Sequence, residues 1–167
     1  NPNYELAQAC ADTVLQRFPE NPEVLLYPTS FLYGDTLGNY LHHLEEKVNF
    51  GSSVWSHYKW DLYHQLAQYY GQEDNYEMVI HYGELAVAHN DTLDVSLLLA
   101  RSYRNLSKNM DALDALLRHV DSTDAVWSLN EKGKLLMELG ANDKAIEAFR
   151  IASHKNADVQ NSGELAD

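Results

Sequence analysis

The 167-residue sequence predicts an all-α protein, a solenoid of stacked antiparallel helix pairs. Three observations carry this. The first is an internal spacing of 33 residues between segments that start at Trp60, Leu93 and Val126. Small residues recur in one column at Ala67, Ala100 and Gly133, and bulky ones a turn later at Tyr70, Tyr103 and Leu136. Further on come Val79, Ala112 and Ala145, then Gly83, Leu116 and Phe149, then Ala86, His119 and Ala152. The second is helical periodicity within each segment, as in Tyr63, Leu66, Ala67 and Tyr70 at i, i+3, i+4 and i+7. The third is the near absence of β-strand alternation. Self-similarity at this length marks an array whose units bury their apolar faces against their neighbours.

Taken in order, residues 1–52 read as degenerate N-terminal helices. Ala7, Ala11 and Val14 fall at helical spacing, and Cys10 beside them reads as a small core residue that has no internal disulfide partner. Pro28 and Gly34 break the chain, and Leu37, Tyr40, Leu41, Leu44 and Val48 then form an amphipathic stripe. Gly51, Ser52 and Ser53 read as a turn and N-cap for a long helix from about Val54 to Tyr70. Three units follow, at 60–92, 93–125 and 126–158. Each is divided by a polar break, at 71–75, 107–109 and 140–142, and Gly140 is the expected left-handed stop of its helix. Small residues at the crossings let paired helices approach closely. Two residues depart from the columns: Lys132 replaces the leucine of Leu66 and Leu99, and His119 the alanine of Ala86 and Ala152. Both are expected to snorkel at a loosely packed edge. Beyond Ala157 a ragged turn or two is expected, so Ile146, Phe149 and Ile151 leave apolar surface for domain packing or self-association through the C-terminal helix. The sequence starts at Asn1 and its first Met is Met78, which reads as a fragment of a larger protein or a processed form.

These units resemble the tetratricopeptide repeat (TPR) family. The third is the nearest match, with Gly133, Gly140, Ala145, Phe149 and Ala152 at that family's small, turn, small, aromatic and small positions. The Thr-Pro-Leu-His signature of ankyrin repeats, which share the period, is missing. The segment from Ala7 to Pro22 resembles the second helix of such a unit and its closing turn. The resemblance implies a right-handed α-α superhelix, a single domain over 1–167, and a concave groove lined by the first helix of each unit. Groove residues would be His64 and Gln68 in the first unit, Leu97, Arg101 and Arg104 in the second, and Trp127, Asn130, Lys134 and Met137 in the third. His64 and Gln68 stand where the carboxylate-clamping Lys and Asn of some co-chaperone members would be, so that partner class is not implied.

Charge narrows the partners. The formal net charge is −13, and residues 1–100 hold three Lys/Arg against 14 Asp/Glu. Nucleic acid and anionic membranes need a basic footprint, and no run of residues is apolar enough to insert in a bilayer. No phosphate loop, catalytic triad order or CxxC pair occurs, and no cofactor is implied. His57, Asp61 and His64 at i, i+4 and i+7 could face a metal ion, but they read as polar residues on a solvated face. His42 and His43 are adjacent and diverge on a helix. The tyrosines read as packing aromatics. The expected function is a non-catalytic scaffold that binds a peptide segment or partner protein through the groove, with a structural or regulatory appendage of a larger enzyme as the alternative. Arg101, Arg104 and Lys134 form a local basic stripe suited to an acidic partner, with Leu97, Trp127 and Met137 as apolar anchors.

Overall fold

The computed structural model of the chain describes residues 2–49, 53–90, 92–118 and 126–164. The described residues are mostly helical, and no strand occurs among them. It forms two compact units, Asn1–Asn90 and Asp91–Asp167.

In the first unit, α1 (Pro2–Arg17) is followed by the short α2 (Pro22–Leu26) and a 3-10 turn at Tyr27–Ser30. Asn21 caps α2, its side chain accepting from the Val24 amide at 3.3 Å, and Pro22 occupies the first turn, where no backbone donor is needed. Helix α3 (Gly34–Asn49) buries Tyr40, Leu41, Leu44 and Val48 of the expected stripe and leaves Leu37 half-buried. The Tyr40 hydroxyl donates to the Leu25 carbonyl at 2.7 Å, tying α3 to α2. A 3-10 turn at Ser53–His57 then leads to α4 (Lys59–Gln72) and α5 (Tyr76–Val87), which pack as a hairpin. In the second unit α6 (Leu93–Asn105) pairs with α7 (Asn109–Arg118), α8 (Val126–Glu138) pairs with α9 (Asn142–Glu164), and α8 also packs on α6.

The period is written in the backbone as well as in the columns. Asp74, Ser107 and Gly140 all have positive φ, at 53°, 60° and 78°, and they are spaced 33 apart. After each, an amide reaches back five residues: Asn75 to the Tyr70 carbonyl (3.0 Å), Lys108 to Tyr103 (2.8 Å) and Ala141 to Leu136 (2.8 Å). This is a Schellman stop, in which a left-handed residue turns the chain while satisfying carbonyls that the helix end leaves open. The next helix starts within two residues, so the two helices must run antiparallel. The columns then bring small residues into the crossing. Ala67, Ala100, Ala112 and Ala145 are at most 1% exposed. At Gly133 an added Cβ would sit 2.6 Å from the Phe149 ring.

Four expectations are corrected. The long helix from Val54 does not form, because Trp55 turns inward, 1% exposed, in the 3-10 segment and α4 begins only at Lys59. Cys10 is exposed, since the buried line of α1 runs through Ala11 instead. Lys132 is buried rather than extended at an edge. Beyond Ala157 the helix is regular, α9 continuing to Glu164. His119 lies outside the described residues.

Gly140→Ala should cost about 1 kcal/mol, because an L side chain is strained at this φ. Ser107→Gly, which relieves the same strain, should stabilise by up to about 1 kcal/mol. Gly133→Ala should cost roughly 1–3 kcal/mol by overpacking against Phe149. Urea unfolding of the three variants checks both signs and order.

Candidate functional site

The sequence-predicted groove residues, Trp127 apart, can be placed within their own units. In the second unit Arg101 and Arg104 lie one turn apart on α6 and project toward α8. Each meets a carboxylate there: Arg101 Nη2 donates to Glu131 Oε2, and Arg104 Nη1 donates to Glu138 Oε2. Lys134 Nζ lies 3.2 Å from the other Glu131 oxygen, Oε1. The basic stripe is therefore an alternating ladder of charge. The sequence shows the basic stripe without its acidic partners, because pairing depends on how α8 packs against α6. The Lys134 hydrogen bond, with the charges of Arg101 and Lys134, holds the Glu131 carboxyl below the usual carboxylate range despite partial desolvation.

The ladder is open to water. The side chains of Arg101 and Lys134 are 44% and 65% exposed, and Met137 beside them is 57% exposed. Ion pairs this exposed contribute about 0–1 kcal/mol each and exchange readily with other charges. Asn130 is half-buried on the same helix. Leu97 is a correction: it is 3% exposed, a packed residue and not a presented anchor. Its column explains this, since α6 buries Leu93, Val95, Leu97, Leu99 and Ala100 together and is apolar around most of its circumference. The Trp127 side chain lies outside the described residues.

In the first unit His64 and Gln68 lie one turn apart on α4, with Nε2 atoms 3.1 Å apart, and the His64 ring packs on Trp60 at 4.9 Å. The Trp60 indole nitrogen is buried without an acceptor among the described residues. His57 sits in the 3-10 turn before α4, bonded to the Ser56 hydroxyl, so the i, i+4, i+7 geometry of His57, Asp61 and His64 is not built. Among the described residues no group of three or more His, Cys, Asp or Glu could hold a metal ion. No described helix is long and apolar enough to cross a membrane.

One cluster was missed from sequence. Glu45 Oε2 accepts from His42 Nδ1 (3.1 Å) and from the Tyr82 hydroxyl (3.0 Å), and His42 Nε2 lies 2.7 Å from the Tyr70 hydroxyl. A carboxylate can only accept, so Nδ1 carries the proton, and in the neutral ring Nε2 accepts from Tyr70. The Tyr70 and Tyr82 rings stack at 5.6 Å and 6°, and Tyr63 stacks on Tyr82 at 6.4 Å. Helices α3, α4 and α5 thus share one polar and aromatic network. Its only sequence signal is His42 and Glu45 at i, i+3, which the His42-His43 doublet obscured. Burial first, and the Glu45 charge second, pushes the Tyr63 phenol above its usual range. For Tyr82 burial is followed by its hydrogen bond to Glu45.

With this geometry described, comparison with known proteins places the fold. No protein-family model matches the chain, and no curated protein matches it by sequence. Two crystal structures of MamA are similar. One has a TM-score of 0.66 and 19% identity, over 92% of this chain and 89% of that one; the other has 0.63 and 18%, over 93% and 84%. At that identity the likeness is one of fold. The chain belongs to the class of all-α proteins built from repeated helix pairs.

A raised phenol pKa makes the folded state hold protons that the unfolded chain releases near pH 10. Stability should therefore fall as pH rises past about 10. Urea midpoints at pH 9 and pH 11 should show this loss in the wild type. Tyr82→Phe, which removes one such phenol, should show a smaller loss.

Proposed function

We propose that the chain is a non-catalytic scaffold that binds a peptide segment or partner protein, and that the face shared by α6 and α8 is the contact surface in the second unit. The observation that carries this reading is the exposed, exchangeable ladder of Arg101, Arg104, Lys134, Glu131 and Glu138 beside Met137. A partner carboxylate can replace Glu131 or Glu138 on an arginine at little net electrostatic cost, because a charge-assisted bond is lost and another gained. Met137 supplies an adaptable apolar contact. In the first unit His64 and Gln68 would offer neutral polar contacts in the equivalent columns. Helical repeat arrays commonly work by presenting such faces, and the fold likeness supports that reading.

Peptides selected from a random display library on the full chain should be enriched in Asp or Glu together with an apolar residue. Arg101→Gln/Arg104→Gln should weaken them by about tenfold or more and flatten their salt dependence, with helix content by circular dichroism unchanged. Neutral replacements are the right probe, since glutamates at 101 and 104 would crowd Glu131 and Glu138 with like charge. Selected peptides without acidic residues, or equal binding to the double variant, would reject the reading.

A further inference from the structure

The network of the first unit leaves one strong acceptor unused. Glu45 Oε2 is taken by two donors, while no hydrogen bond from a described residue reaches Oε1. The Glu45 side chain is 20% exposed and His42 beside it 42% exposed, so the carboxylate is reachable from water. It is also fixed, held by α5 through Tyr82 and oriented by His42, which is itself bonded to Tyr70 of α4. The three phenols stay protonated across the neutral range, since burial and Glu45 raise them all. The surrounding unit is strongly acidic, with 12 Asp/Glu and three Lys/Arg in residues 1–90.

We propose that Glu45, with the tyrosine cluster behind it, is a binding site for the guanidinium of an arginine side chain in a basic peptide segment. The free Oε1 accepts from the guanidinium, while the bonds from His42 and Tyr82 to Oε2 hold the carboxylate in place and couple it through His42 to Tyr70. A fixed carboxylate loses little freedom on binding, so this one acid outweighs the many flexible acids around it. The field of the acidic unit draws the cation in. Arginine fits better than lysine because its fork is planar and less tightly hydrated. This site is independent of the α6 and α8 face and has the opposite charge preference.

The test uses the full chain and a hexa-arginine peptide. Titration followed by NMR should shift the Glu45 side-chain carboxyl and the Tyr70 ring first among carboxyl and aromatic signals. Calorimetry should show Glu45→Gln binding at least about tenfold more weakly, against less than about twofold for Glu46→Gln, which removes the same charge at an exposed neighbour. Hexa-lysine should bind more weakly than hexa-arginine. If Glu45→Gln loosens α3, the wild-type NMR titration decides. Shifts spread evenly over exposed acids without Glu45 and Tyr70, or equal losses in the two Gln variants, would overturn the proposal. Arg101→Gln/Arg104→Gln should leave hexa-arginine binding unchanged, which separates this site from the other face.

Discussion

Between the two helices of each repeated pair, one residue in the left-handed conformation stops the first helix, and an amide one position later reaches back to a carbonyl five residues upstream. Asp74, Ser107 and Gly140 hold that position, and Asn75, Lys108 and Ala141 make the bond. The turn fixes which faces meet. Because the second helix starts at once, its apolar stripe has one register against the first, and the small columns follow from it. Small side chains predominate where the axes cross, and at Gly133 under Phe149 there is no room even for a Cβ. Serine and aspartate at two of the three turns cost some backbone strain, tolerated because the paired helices recover it through buried apolar surface.

The same geometry governs what the second unit can present. Once α6 and α7 form a pair and α8 packs against α6, the outer turns of α6 and α8 lie side by side, and their long charged residues interleave. The resulting ladder is nearly self-neutralising. The first unit works differently. There a helix outside the repeat, α3, is fastened to the first pair by Glu45, His42 and the stacked tyrosines, which concentrates negative charge at one ordered point.

Much of the fold was legible because the signals were local and repeated. The 33-residue columns located three helix pairs, and Gly140 announced its own conformation. Asp74 and Ser107 did not, since neither residue type is confined to the left-handed region; only their alignment with Gly140 could have disclosed them. The start of α4 was misread because Gly51, Ser52 and Ser53 read as a turn and N-cap, whereas burial of Trp55 is better served by a tighter turn. The site was less legible. Arg101, Arg104 and Lys134 were identified as a charged stripe, yet their partners on α8 are 30 or more residues away for both arginines. Leu97 was assigned to the surface by column alone, and the breadth of the apolar face of α6 overrode it. The Glu45 network escaped because its members come from three helices and spacing links only His42 with Glu45.

Amide hydrogen exchange read residue by residue at Asn75, Lys108 and Ala141 tests the repeated turn most directly. If each amide is bonded five residues back, all three should exchange as slowly as amides inside the adjoining helices, although they lie in segments that sequence alone would describe as loops. Exchange at the rate of an open chain at any one of the three would show that its turn is not the stop described, and that the period in the sequence is not carried by the backbone.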